Sequence, residues 1–102
     1  NDTLLGGNDV DQILGGNGND LIEGGDGSDA LLRGGQGEDT VLGDAGDDFI
    51  FGGQGNDQVS GGTGNDFVQG NLGNDVVSGG DGNDTVIGGQ GNDVVQGDAG
   101  DD

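Results

Sequence analysis

Large aliphatic side chains recur along this chain every nine residues, and the stretches between them consist mostly of glycine and polar residues. The blocks GGQGNDQVS at 52–60 and GGTGNDFVQ at 61–69 show the pattern, with an aliphatic residue at the eighth position. Alternate residues of a β-strand point to opposite faces, so the eighth side chain points one way and the seventh and ninth the other. The pattern therefore predicts a short strand at the end of each block, with the eighth side chain inside.

The same block runs through the whole chain, numbered here from its first glycine, so that Gly52 is position one. Position eight is aliphatic throughout: Leu4, Ile13, Ile22, Leu31, Val41, Ile50, Val59, Val68, Val77, Val86 and Val95. The phase breaks once, at Arg33, which we interpret as an extra residue in a bulge at a strand end. We expect residues 1–102 to form one segment of this repeat that begins and ends within a block.

One inward side chain per block is too little for a globular core, but stacked blocks can bury a continuous row of them. The repeat therefore predicts an all-β fold of stacked strands. Composition alone argues against folding, since only 26% of residues are hydrophobic and 29 are glycine. The chain has 21 acidic residues and one basic residue, which gives a net charge of −20. Such a chain is expected to be disordered unless something neutralises it.

The residue types limit what that neutralising partner can be. The chain has no cysteine, histidine or lysine, which excludes a disulfide, a zinc site and a phosphate loop. It also has no apolar run of membrane-spanning length and no basic patch, so we expect no membrane insertion and no nucleic-acid partner. Any stabilising ligand must bind to oxygen.

Aspartate occupies position six of every block, which makes it the candidate metal ligand. The residues are Asp2, Asp11, Asp20, Asp29, Asp39, Asp48, Asp57, Asp66, Asp75, Asp84, Asp93 and Asp102. If strands alternate between two sheets, alternate aspartates form two columns, and like charges about 4.8 Å apart repel unless a cation separates them. One divalent ion per interval gives roughly ten ions, which would offset the negative charge. Calcium, which takes 6–8 oxygen ligands in flexible geometry, suits such turns better than magnesium.

The pattern GGxGxDxUx, with U a large aliphatic, resembles the nonapeptide of the RTX (repeats-in-toxin) family, over the whole chain. The resemblance implies a calcium-bound parallel β-roll with two repeats per coil, and the position-six aspartates as its metal ligands. It also implies export by a bacterial type I secretion system, an extracellular or cell-surface location, and folding after export.

Three functions remain open at this point. The first is a calcium-dependent folding and scaffold module of a larger secreted protein; the second is a structural or adhesive array of stacked rolls; the third is an accessory domain of a secreted enzyme or toxin. We expect no enzymatic activity in this segment, because identical repeated carboxylates form no distinct cleft. An EF-hand is excluded, since no window has its alternating ligands and a glutamate at the twelfth position.

Two local features depart from the regular pattern. Asp9 and Val10 stand where the motif has glycine and a polar residue, so we expect the turn before Asp11 either to bind calcium weakly or to lie beside a different preceding structure. The three phenylalanines, Phe49, Phe51 and Phe67, fall on one outward face.

We place Ala30 and Leu32 beside these rings and predict a contact surface for a flanking domain or another copy; the alternative is local packing with nothing opposite.

Overall fold

A computed structural model describes all 102 residues and contains only strands, turns and bends. Eleven strands follow one another: β1 Thr3–Gly7, β2 Gln12–Asn17, β3 Leu21–Asp26, β4 Leu31–Gln36, β5 Thr40–Ala45, β6 Phe49–Gln54, β7 Gln58–Thr63, β8 Phe67–Leu72, β9 Val76–Asp81, β10 Thr85–Gln90 and β11 Val94–Ala99. A helix long and apolar enough to span a membrane is absent.

Successive strands alternate between two parallel sheets. The odd-numbered strands form a six-stranded sheet in the order β1-β3-β5-β7-β9-β11, and the even-numbered strands form a five-stranded sheet in the order β2-β4-β6-β8-β10. Each coil of the chain therefore uses two blocks, one per sheet, and the coils stack into a thin slab with Cα extents of 30 × 29 × 14 Å. The prediction of a parallel two-sheet solenoid with two repeats per coil is confirmed.

The strands are longer than the three residues that the pattern predicts. Most are six residues long and run from position seven of one block to position three of the next, as in β7. Positions one and two are glycine-rich and look like turn residues, yet they continue the ladder, with Gly62 paired with Gly80. Only positions four to six form the turn.

The core is a single row of position-eight side chains between the sheets. Its seven buried members are Ile22, Leu32, Val41, Ile50, Val59, Val68 and Val77, all at 0–3% exposure. Leu4, Ile13 and Val86 pack against the row at partial burial. The predicted stripe of inward aliphatics is thus confirmed, with one change of residue in β4.

The extra residue lies before β4 and not at its end. Leu32 pairs with Ile13 and Ile50 and is fully buried, whereas Leu31 is only half-buried on the outer side. The backbone N–H groups of Ala30 and Leu31 both point to the carbonyl of Asp11, at 3.0 and 3.4 Å, so the bulge is at Ala30. The assignment of Leu31 to position eight and of the bulge to Arg33 was wrong, because both leucines fit position eight and only cross-strand pairing chooses between them.

This shift also corrects the surroundings of the phenylalanines. Phe49 and Phe67 stack with ring centroids 5.3 Å apart, and Phe51 lies 5.8 Å from Phe67, on the outer face of the five-stranded sheet. Arg33, not Leu32, is the neighbour of Phe51 on β4. Leu32 faces the core.

Position two adopts a left-handed backbone in every coil, whatever its side chain. Asp44, Asn71 and Asp98, which replace glycine there, have φ of 73°, 86° and 76°. Aspartate and asparagine tolerate this region better than other non-glycine residues. These two residue types therefore replace glycine here without a change in the course of the backbone.

Candidate metal centre

Each turn brings the carboxylate of position six into register with the same position two blocks away. The Oδ1 atom of one aspartate accepts a hydrogen bond from the backbone N–H of the preceding aspartate of its column, at 2.6–3.0 Å. One column contains Asp2, Asp20, Asp39, Asp57, Asp75 and Asp93, and the other Asp11, Asp29, Asp48, Asp66, Asp84 and Asp102. The structure therefore brings the predicted site residues together in two columns, one at each edge of the slab.

The aspartates are buried, which is unusual for carboxylates without a counter-charge. Eight of them, Asp20, Asp29, Asp39, Asp48, Asp57, Asp66, Asp75 and Asp84, are only 1–5% exposed. Their second oxygen, Oδ2, is buried and accepts no hydrogen bond, and the same holds for Oδ2 of Asp11. Nine orphaned anionic oxygens therefore lie inside the two edges.

Position-one glycines make room for these oxygens. A Cβ atom at Gly52 would lie 2.6 Å from Oδ2 of Asp57 and 2.8 Å from the carbonyl oxygen of Gly70, too close for any side chain. The carboxylate oxygen of one coil and a backbone carbonyl of the next thus face the same small space. Glycine is required here for room, since φ at Gly52 is not positive.

Backbone carbonyls of the turn add oxygens on both sides of each coil. The position-three carbonyl, as at Gln54, accepts a hydrogen bond from a backbone N–H of the preceding coil. The position-six carbonyl, as at Asp39, accepts one from a backbone N–H of the following coil. The position-four carbonyl, as at Gly55, accepts from no backbone N–H and points along the stack at Gly73 of the next coil. The position-four carbonyl is therefore a free backbone oxygen between coils.

Burial raises the pKa of several of these carboxylates. Burial first, and then the neighbouring aspartates of each column, raise the pKa of Asp48 and Asp57 to about 6 against an opposing backbone hydrogen bond. The pKa values of Asp29, Asp39, Asp66 and Asp75 are also raised, by burial first. The metal-free columns hold negative charge in a place that disfavours it.

A hard cation fits this set of donors. No three carboxylates converge on one point, so an ion between two coils would complete its coordination with backbone carbonyls. Every available donor is oxygen, nine of them orphaned and charged, which matches the preference of calcium for carboxylate and carbonyl oxygen.

A second ladder, formed by position five, was not predicted from the sequence. The side-chain oxygen of one position-five residue accepts a hydrogen bond from the backbone N–H of the position-five residue in the next coil, at 2.7–3.0 Å. For example, the N–H of Asn74 donates to Oδ1 of Asn56, and the N–H of Asn83 donates to Oδ1 of Asn65. These side chains are exposed. The recurrence of asparagine at position five was the available signal, but Asn-Asp also reads as an ordinary turn sequence.

The irregular turn at residues 8–10 differs from the others in two ways. Asp9 has no positive φ, although the glycine at position four has one in every other turn. Val10 offers no acceptor, so the N–H of Ser28 has no side-chain partner. Asp11 nevertheless joins its column, because its backbone N–H donates a hydrogen bond to Oδ1 of Asp29; its own Oδ2 atom is orphaned.

Comparison with known proteins gives one match. A family model described as the RTX calcium-binding nonapeptide repeat matches residues 1–31, 33–68 and 69–102. No curated protein and no solved structure matches this chain.

Proposed function

This chain belongs to the RTX calcium-binding nonapeptide repeat family, and we propose that it is a module that folds only when calcium enters its two aspartate columns. Calcium-binding repeats are a structural family and not a catalytic one. The observation that carries the proposal is the set of nine buried Oδ2 atoms without a partner.

We propose all twelve position-six aspartates as the metal ligands, assisted by backbone carbonyls of positions one, two and four. Bound calcium would supply positive charge between coils and so remove the repulsion within each column. With one ion per interval, the two columns would hold roughly ten ions, near what neutralises the chain. The turn at Asp9 and Val10 would bind most weakly, because its backbone conformation differs from that of the other turns.

Without calcium the fold has little to hold it together. The core consists of seven side chains, the backbone contains 29 glycines that lose much conformational entropy on folding, and the formal charge is −20. Binding that removes this repulsion makes metal uptake and folding one event. We therefore expect the metal-free chain to be disordered.

This coupling suits a module of a larger secreted bacterial protein. Site affinities like those of extracellular calcium modules, roughly 10⁻⁴ to 10⁻³ M, would leave the chain unfolded in a low-calcium cytosol and fold it outside the cell. An unfolded chain can pass a type I exporter, and the folded slab would then act as a scaffold for flanking domains. Assembly into extracellular fibres or layers is the alternative.

The deciding experiment is circular dichroism of the chain during a calcium titration at pH 7, where the metal-free aspartates are charged, with magnesium as the control ion. We expect a disordered spectrum without metal, a cooperative gain of strand signal with calcium, and reversal by a chelator. Magnesium should be much less effective, because it requires near-octahedral geometry and retains its water. A metal-free chain already rich in strand would contradict the coupling, and calcium-induced fibres in electron micrographs would favour the array.

A further inference from the structure

We infer that the outer face of the five-stranded sheet is an interface through which two calcium-loaded copies of this chain pair. The inference rests on the proposed calcium-dependent folding, since the face exists only in the folded slab. It starts from the distribution of charge between the two sheets.

The five-stranded sheet contains no acidic residue in any strand, although the chain has 21 acids. Its strands read QILGGN, LLRGGQ, FIFGGQ, FVQGNL and TVIGGQ. The six-stranded sheet, by contrast, carries Glu23, Asp26, Asp44, Asp81 and Asp98 in its strands. The remaining acids lie in the turns at the two edges.

Charge decides which part of one copy can approach another. The calcium proposed for the two columns would offset the charge of the turns, but the acids in the strands of the six-stranded sheet lie outside the columns. Two copies that met through that face would therefore set like charges opposite one another. The five-stranded face is free of that repulsion and carries the only base, Arg33, which forms no ion pair in the structure. Of the two sheet faces, this one therefore favours the approach of a second copy.

The residue composition of this face is typical of the centre of a protein–protein interface. Phe49, Phe51 and Phe67 form a ring cluster on the central strand β6 and its neighbour β8. Phe49 is 53% exposed, and the apolar rim residues Leu14, Leu72 and Ile87 are exposed at 62%, 43% and 40%. Aromatic anchors near the centre of a patch usually dominate binding energy.

A two-fold axis parallel to the strands and passing over β6 makes the face self-complementary. This operation lays β4 of one copy over β8 of the other and β2 over β10. Phe49 then faces its own symmetry mate, Leu14 lies across from Ile87, and Arg33 lies across from Gln69. On the facing strands of the two copies, no like charges oppose each other.

The available area is adequate for a weak to moderate dimer. In-plane Cα extents of 30 × 29 Å bound a face on the order of 900 Å², close to the roughly 800 Å² per partner of a standard interface. Because the flat strand region is smaller than the whole slab, we expect micromolar and not nanomolar association.

The test is sedimentation equilibrium of the calcium-loaded chain, with circular dichroism on the same samples. We expect a monomer–dimer equilibrium. Phe49→Glu sets two carboxylates against each other at the two-fold axis and removes an aromatic anchor, so it should weaken pairing at least about tenfold. Gln58→Glu adds the same charge to the six-stranded face and should leave pairing unchanged.

A cross-linking experiment reports the symmetry directly. The chain has no cysteine, so Phe49→Cys introduces a single thiol that should form a calcium-dependent disulfide dimer on mild oxidation. Gln58→Cys, on the opposite face, should not.

A folded but monomeric chain, or a dimer unaffected by Phe49→Glu and not trapped by Phe49→Cys, would overturn the interface. Failure to gain strand signal in calcium would overturn the proposed folding function and the interface together.

Discussion

The side chains of positions five and six are neighbours in every turn, yet they form two ladders with different surroundings. The position-five side chain, as at Asn56, is exposed, and its Oδ1 atom accepts a hydrogen bond from the backbone N–H of Asn74 in the next coil at 2.8 Å. Position six, as at Asp57, is buried, and its Oδ1 accepts the N–H of Asp39 in the preceding coil at 2.9 Å. Both are hydrogen bonds from a backbone N–H to a side-chain oxygen, but position five accepts from the following coil and position six from the preceding one.

The comparison shows what the charged residue adds. An asparagine ladder supplies the same kind of N–H bond without any charge, so a hydrogen bond alone does not require aspartate. Position five accepts asparagine, serine, aspartate, glutamate and even valine, whereas position six is aspartate in all twelve turns. The difference between the two columns is the orphaned Oδ2 at position six, which points to a cation and not to backbone pairing.

The largest expected effect is a loss of stability in β4, where two adjacent leucines point to opposite faces of the sheet and their substitutions should differ most in cost. Leu32 is fully buried, so Leu32→Ala should lower the free energy of unfolding in saturating calcium by about 2–5 kcal/mol. Leu31→Ala, on the outer side, should lower it by less than about 1 kcal/mol. Urea denaturation in calcium measures both values, and equal losses would contradict the bulge at Ala30.

The next largest effect separates the two ladders themselves. Asp57→Asn keeps the shape and the Oδ1 acceptor but replaces the orphaned oxygen by an amide, so calcium affinity should fall about tenfold or more, equivalent to about 1.4 kcal/mol. The same change removes a buried charge, so the metal-free chain should fold no worse than the parent chain.

The matched control is Asn56→Asp, in the outer ladder, for which we expect little change in the calcium midpoint. Calorimetric calcium titrations of both variants provide the measurement. A loss of affinity with Asn56→Asp equal to that with Asp57→Asn would remove the distinction between the two columns.

The sequence predicts most of the fold because the period of nine is nearly unbroken. The inward row and the recurring aspartate follow from that period, whereas the alternation between two sheets, and with it the two aspartate columns, is what the resemblance to the RTX nonapeptide implies. The position of the bulge does not, because Leu31 and Leu32 both satisfy position eight and the pairing of β4 with β2 and β6 selects Leu32. Strand length was underestimated because glycines such as Gly61, read as turn residues, are buried ladder positions.

The asparagine ladder was missed for a related reason. Its bonds join residues 18 or 19 apart, so nothing in one block distinguishes a ladder asparagine from a turn asparagine. Stacking neighbours must be known before the acceptor can be assigned.

A smaller effect is expected from pH on the metal-free chain. Asp48 and Asp57 titrate at about 6 in the fold against an ordinary pKa of 3.8, so between these values the folded state binds more protons than the unfolded state. Stability of the metal-free fold is therefore greatest below pH 3.8 and is lost as pH rises through 6.

Circular dichroism without calcium should accordingly show more strand at pH 4 than at pH 7, and Asp57→Asn should reduce the difference. An unchanged spectrum across this range, or more strand at neutral pH, would contradict the burial of charge in the inner columns.

The smallest expected effect comes from repairing the outer ladder, which is broken where position five lacks a suitable acceptor. Val10 leaves the N–H of Ser28 without a side-chain partner, and Glu38 likewise supplies none to Asn56. Val10→Asn should restore one exposed bond and raise the free energy of unfolding in calcium by about 0.5–1 kcal/mol. Val10→Ala, which removes the same apolar side chain without adding an acceptor, should not. Because the repaired rung lies outside the aspartate column, Val10→Asn should raise stability without changing the number of ions bound; a gain or loss of an ion would mean that the two ladders are one site.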